Sequence, residues 1–303
     1  MQRFYDTNQF HSFMKRESKR LGIGILNTYN TYFSRVFLQK VSKYNNGMAL
    51  VKGSSAETAY LGKLVRGITD VDLALLGPIE ANTGLIKSVI DDESVSDFKF
   101  RLAKPPKVTP TGIYKMSFEG TFEKTKHPIG VDFQENYDRL IERDVRTMPA
   151  IFDGDEEFKI LVPSFEEYLA EKLCIIVESN KPDVLNTRVK DFYDIYRLHG
   201  GKYDPEKLTK YFGRMLALRG KIRLQDATTT YLDKDFIDQH QDVWERAKDK
   251  YDFLDDGIDL GGAVYYARAV LREELQKNGS EMPSDFMVPR VPKDVKSRGQ
   301  YTK

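Results

Sequence analysis

Residues 48–76 constrain the fold more than any other stretch of this chain. Met48-Ala49-Leu50-Val51 is a short apolar run that stops at Lys52-Gly53-Ser54, and Ser55 to Leu64 then has the character of a helix opening directly after the turn. Asp70-Val71-Asp72-Leu73-Ala74-Leu75-Leu76 follows as a strand that alternates polar and apolar at its start. Successive side chains leave a strand on opposite faces, so Asp70 and Asp72 project together while Val71 and Leu73 pack behind them. Two carboxylates held this close repel unless a cation lies between them, and paired carboxylates on a rigid strand suit magnesium, a hard ion that takes oxygen ligands. Gly53 and Ser54 at a helix start offer backbone N–H groups and a hydroxyl to phosphate oxygens. Strand, glycine-serine turn, helix and strand together describe a nucleotide and metal site.

The composition leaves room for this site and removes several others. With 303 residues the chain is long enough for one large or two ordinary domains. A formal net charge of +1 gives no global basic field, so any surface for nucleic acid or lipid has to be local. No run approaches the ~18–20 apolar residues of a membrane span, and the first thirty residues lack a signal-peptide core, so a soluble, cytoplasmic protein with no membrane partner is expected. The single cysteine, Cys174, excludes intrachain disulfides and lies in the apolar run Leu173-Cys174-Ile175-Ile176 as a structural thiol. There is no Walker-type glycine-lysine loop, no paired-histidine metal helix, no Cys-x-x-Cys pair and no glycine-flanked serine elbow. His11, His127, His199 and His240 are scattered, and His199 reads as a dipole partner at a helix end.

In chain order, a polar helix is expected over Asp6 to Lys19 and a stronger one over Ile25 to Tyr44, where Leu26, Tyr29, Tyr32, Phe33, Val36 and Phe37 build an apolar face. Gly22-Ile23-Gly24 is a linker, and Asn45-Asn46-Gly47 ends the second helix. Pro78 to Asp92 reads as helix and Phe98 to Leu102 as strand. Lys104-Pro105-Pro106-Lys107 reads as a surface loop, because proline lacks the ladder donor. Strands are expected over Thr111 to Phe122 and Pro128 to Gln134. In the second, Ile129, Val131 and Phe133 share one face and leave Asp132 on the other, a third carboxylate at the same kind of position. Further strands are expected at Thr147 to Phe152 and Phe158 to Val162, with Asp153-Gly154-Asp155-Glu156-Glu157 as a solvated hairpin tip.

After Pro163 the pattern turns helical, so residues 1–162 are read as a mixed lobe, 163–280 as a helical lobe and 281–303 as a flexible basic tail. Ser164 and Glu167 form a capping box before the helix Phe165 to Glu178, and Lys172 sits among its apolar residues. Asn186-Thr187 caps Arg188 to His199, which ends at Gly200-Gly201 and carries Lys190, Asp191 and Asp194. Pro205 to Leu218, Lys234 to Tyr251 and Leu260 to Lys277 are packing helices, Asp226 to Thr230 is a loop, and a monomer is the default expectation.

Gly53-Ser54, then Asp70-x-Asp72, then Asp132 on a later strand resembles the catalytic pattern of the DNA polymerase beta nucleotidyltransferase superfamily. Lys52-Gly53-Ser54, Arg66-Gly67-Ile68-Thr69-Asp70-Val71-Asp72, Ala170-Glu171-Lys172-Leu173 and Arg188-Val189-Lys190-Asp191-Phe192-Tyr193-Asp194-Ile195-Tyr196 are similar, more narrowly, to the AbiEii/MenT nucleotidyltransferase toxins over about residues 50–198. The spacing from Gly53-Ser54 to Asp70 is longer than in many superfamily members. The resemblance implies an α+β fold, a polymerase-beta-like mixed-sheet lobe followed by an all-helical lobe. It implies Mg2+ held by Asp70, Asp72 and Asp132, and a nucleoside triphosphate bound by Lys52, Gly53, Ser54, Arg66, Lys172, Lys190 and Asp194. Lys172 then faces the triphosphate, and Asp191 positions Lys172 or the nucleotide. The implied activity is nucleotide transfer to an RNA acceptor, the 3′ end of tRNA, by the toxin of a toxin-antitoxin or abortive-infection pair, blocking aminoacylation and growth until a cognate antitoxin restrains it. Transfer to a protein or small-molecule hydroxyl, and nucleotide binding without turnover, are the alternatives.

Overall fold

The alternating stretches close into one mixed sheet, and the apolar helix of residues 25–44 covers its inner face. A computed structural model describes residues 4–93, 95–110, 112–135, 142–179, 185, 187–198, 201–219, 234–254 and 257–277. The first half of the chain runs α1 (Thr7–Leu21), α2 (Ile25–Tyr44), β1 (Ala49–Val51), α3 (Gly53–Leu61), β2 (Asp70–Leu75), a 3-10 turn (Ile79–Asn82) and α4 (Thr83–Asp91). It continues through β3 (Lys99–Val108), β4 (Ile113–Phe122), β5 (Thr125–Gln134), β6 (Arg143–Met148) and β7 (Phe158–Pro163). Then follow α5 (Phe165–Ser179), α6 (Val189–Leu198), α7 (Pro205–Arg219), α8 (Lys234–Tyr251) and α9 (Leu260–Lys277).

The sheet order is β1-β2-β5-β4-β3, antiparallel except for the β2–β5 pair, and β6 and β7 form a separate hairpin. Val71 and Leu73 of β2, Val131 and Phe133 of β5, and Phe118 of β4 are buried on the face that packs against Phe33, Val36 and Phe37 of α2. Phe37 meets Phe100 edge-on and Phe118 at a tilt, at ring distances of 5.4 and 5.1 Å, and Phe33 meets Phe98 at 5.3 Å. With one face filled in this way, the alternation leaves the aspartates on the other. Among the described residues no helix is long and apolar enough to cross a membrane.

Several boundaries differ from the sequence reading, each for a physical reason. Lys104-Pro105-Pro106-Lys107 lies inside β3, not in a loop. β3 is the edge of the sheet, and its pairing with β4 shifts register between Leu102 and Lys104 and again between Lys104 and Lys107, so the missing proline donors cost no ladder bond. The strand expected at 147–152 lies at Arg143–Met148. Pro149 follows its end, and Ile151 and Phe152 are buried outside any strand, which gave that stretch its strand-like pattern.

The acidic turn is not wholly solvated: the Asp155 carboxylate is buried against Arg35 of α2, 2.5 Å from Nε. Arg35 also donates to the carbonyls of Pro149 and Glu156, which ties the turn to the core. α3 opens at Gly53, two residues early, and stops at Gly62 in the left-handed region. Half of the expected capping box forms, the Ser164 hydroxyl accepting from the Glu167 N–H at 3.3 Å. The cap at Asn186, the stop at Gly200, His199, the 226–230 loop and the basic tail lie outside the described residues.

Candidate active site

The parallel pairing of β2 with β5 brings the three aspartates onto one open face. Asp72 lies opposite Asp132, and Asp70 lies opposite Gly130, whose lack of a side chain leaves room beside it. Burial pushes the Asp72 carboxyl up to about 6, with Asp70 and Asp132 adding repulsion that Lys190 and Lys52 partly offset. The Thr69 hydroxyl donates to Asp70 Oδ1 at 3.0 Å. Lys115 of β4, opposite Asp132, reaches its Oδ2 at 2.8 Å.

The glycine-serine turn closes on the same carboxylate. The Lys52 N–H donates to the Asp72 carbonyl at 2.8 Å, which locks the end of β1 beside β2. Gly53 follows with φ +58°, and a Cβ placed on it would stand 1.9 Å from Asp72 Oδ2. Only glycine meets both conditions, the left-handed backbone and the close approach. Ser54 is buried in the first turn of α3, so the orphan N–H groups of that helix end open beside Asp72. The Lys52 ammonium is held by Glu171 Oε1 at 2.6 Å and Gln134 Oε1 at 3.1 Å. The Tyr168 hydroxyl donates to the Gly53 carbonyl at 2.8 Å, fastening the turn to α5.

Behind this face lies a buried ionic cluster that joins the two halves of the chain. Lys172 Nζ donates to Asp191 Oδ1 at 2.7 Å and Asp194 Oδ2 at 2.6 Å, and Arg66 Nε donates to Asp194 Oδ1 at 2.9 Å. Arg188 Nε meets Asp191 Oδ2 at 3.1 Å. Burial alone would raise Asp194, yet Arg66 and Lys172 hold it well below the carboxylate range; against the same desolvation, Asp191 and Asp194 hold Lys172 well above its usual value. Glu57 of α3 is fully buried beside Asp194, and burial, with that negative neighbour, raises its carboxyl well above the ordinary carboxylate range. Lys190 lies 5.1 Å over the Tyr251 ring, and its charge acts on Asp72, Asp191 and Asp194 alike. Thus Asp70, Asp72, Asp132, Lys52, Gly53 and Ser54 line one face, Arg66, Lys172, Asp191 and Asp194 form the cluster behind it, and Lys190 bridges the two electrostatically.

Residues 59–264 match the family described as nucleotidyl transferase AbiEii toxin, type IV toxin-antitoxin system. The chain belongs to this family. Nucleotidyl transfer, with a nucleoside triphosphate as substrate and an antitoxin as partner, is accordingly its activity class. No curated protein matches the chain. Two solved Helicobacter pylori structures are similar to it, one of a protein proposed to be a nucleotidyltransferase and one of JHP933. Both are 15% identical with a TM-score of 0.47; the first match covers 82% of this chain and 95% of the other, the second 83% and 92%.

For an AbiEii nucleotidyltransferase, the donor set suits a hard divalent cation: three carboxylates on one face, with Asp72 raised by burial and, beyond that, by its negative neighbours. Among the described residues no three His, Cys, Asp or Glu side chains are drawn together as a closed ligand group. Asp132 turns instead toward Lys115. Lys115, Tyr168, Glu57 and Glu171 are site neighbours that sequence reasoning did not single out. Lys115 had a signal. A two-residue turn, Glu123-Lys124, pairs Phe122 with Thr125, and the same register places Lys115 opposite Asp132.

Proposed function

We propose that this AbiEii-family protein uses Mg2+ to transfer a nucleotide from a nucleoside triphosphate to an RNA acceptor, the 3′ end of tRNA, and so blocks translation and growth. The observation that carries the reading is the pairing of Asp72 with Asp132 on parallel strands, with Asp70 on the same face and the Gly53 backbone against Asp72. Asp70, Asp72 and Asp132 would hold Mg2+, which supplies charge neutralisation to the triphosphate when bound. Ser54 and the N–H groups of the first turn of α3 bind the terminal phosphate oxygens, and Lys52 and Lys190 add positive charge on either side. Asp132 takes up the proton of the acceptor hydroxyl. That oxygen forms the new bond to the α-phosphorus, and pyrophosphate leaves. Positioning and charge account for most of such a reaction, which suits a site built of carboxylates, ammonium groups and a helix start.

Asp191 orients Lys172, a role supported by their 2.7 Å contact, and Arg66, Lys172 and Asp194 set the field behind the triphosphate. Residues 1–162 act as the catalytic lobe, and residues 163–280 supply the helical lobe that closes behind it.

The test is incubation with Mg2+, each labelled nucleoside triphosphate in turn and total tRNA, beside Asp72→Asn. Wild type is expected to label RNA, and the variant to lose at least about 100-fold in rate. Label on protein instead of RNA would transfer the reading to a protein acceptor, and no label with any acceptor would remove it.

A further inference from the structure

The sheet register extends the site residues beyond the carboxylates in two rows. Asp72 pairs with Asp132, Asp132 with Lys115, and Lys115 with Lys107. One step along the strands, Asp70 pairs with Gly130, Gly130 with Ser117, and Ser117 with Lys104. Directly paired residues share a sheet face, so each row starts at an aspartate of β2 and ends at a lysine of the edge strand β3. At the ordinary spacing of about 4.8 Å between strands, the Lys107 backbone lies about 10 Å from that of Asp132.

β3 carries Lys99, Arg101, Lys104 and Lys107 and no acidic residue, in a chain whose net charge is only +1. Every residue of it except Phe100 is exposed. Lys99 and Arg101 are matched by Glu93 and Glu119, whereas Lys104 and Lys107 have no carboxylate partner among the described residues. The two register shifts decide their direction. Without the first, Lys104 would share the core-facing parity of Phe100 and Leu102; the extra residue turns it to the site face, and the second shift, at Pro105-Pro106, places Lys107 there too. Gly53 and Ser54 stand on the opposite flank of Asp72, beside β1. The phosphate cradle and the free lysines therefore lie on opposite sides of the carboxylates.

We infer that β3, with Lys104 and Lys107 and continued by Lys115, is the track for the sugar-phosphate backbone of the acceptor RNA, leading its end to Asp132. The inference rests on the RNA reading given above. Lysines and prolines on an edge strand also deter pairing with a second chain, and the test separates the two roles.

Full-length protein carrying Lys104→Gln and Lys107→Gln is titrated with labelled total tRNA over a range of KCl concentrations beside wild type, with the melting temperature as the check on folding. A track predicts wild-type binding that weakens with salt and a double variant that binds all tRNA more weakly. Its slope of log affinity against log salt is shallower by about 2, one unit for each lysine removed. Arginine at both positions restores the slope. Equal affinities and slopes for wild type and the glutamine variant overturn the track and leave β3 as a guarded edge. Absence of tRNA binding by wild type overturns the RNA reading, and the track with it.

Discussion

At the scale of single residues, Gly53 is where backbone geometry and chemistry meet. Its φ of +58° and the 1.9 Å that would separate an added Cβ from Asp72 Oδ2 make any other residue costly twice over. Gly53→Ala is expected to lose about 1–2 kcal/mol of unfolding free energy through left-handed strain, measured by urea titration. Displacing the Asp72 carboxylate is expected to lower the transfer rate by about 100-fold. Wild-type transfer by a folded Gly53→Ala would take Asp72 out of the chemistry. The aspartates were legible because a period-two alternation needs nothing beyond its own strand. The contact between Gly53 and Asp72 was not, since it depends on how the end of β1 docks beside β2. Asp155 misled for a related reason: its five-residue run looks solvated, and only the fold brings buried Arg35 to it.

At the scale of elements, how far a strand's pattern could be read depended on what its neighbours demand of it. β5 between β2 and β4 matched its pattern, whereas β3, with one neighbour, tolerates two prolines and two register shifts. The packing of β5 against α2 also carries a pH dependence. His127 of β5 stacks on Phe33 and Tyr29 of α2, at ring distances of 5.1 and 5.7 Å, and its Nε2 meets Asn30 Oδ1 at 2.6 Å. Burial pushes its pKa down to about 4 from 6.5. The folded state therefore holds His127 neutral where the unfolded chain is already protonated, so this contribution is complete above pH 6.5 and is lost as pH falls toward 4. Between pH 7 and pH 5 the unfolding free energy of wild type should fall by about 2 kcal/mol relative to that of His127→Phe, which keeps a ring and cannot titrate. A difference between the two that does not change with pH would place His127 in a hydrated setting.

At the scale of the whole molecule, the cluster of Glu57, Arg66, Lys172, Asp191 and Asp194 joins α3 and the connection that follows it to α5 and α6. Sequence reasoning placed Arg66, Lys172, Asp191 and Asp194, though not Glu57, in one functional set through family resemblance, yet no helical period within the chain says that Lys172 and Arg66 meet on one carboxylate from segments more than one hundred residues apart. Their burial changes what substitution at Lys172 should do. An exposed lysine facing only a triphosphate could be removed with the fold intact. Here the ammonium is the shared partner of two buried carboxylates, so Lys172→Met leaves Asp191 and Asp194 crowded, with Arg188 and Arg66 as their remaining ion-pair partners and Lys190 acting from farther off. Breaking a buried ion pair from one side costs about 3–5 kcal/mol, and the variant is expected to show a loss of that order in urea unfolding, together with weaker nucleotide binding. Adding Asp191→Asn should return part of the stability, because it removes one of the stranded charges. Full stability in Lys172→Met with nucleotide affinity alone lost would show that the lysine serves the triphosphate directly and that the two halves are held together by the apolar core.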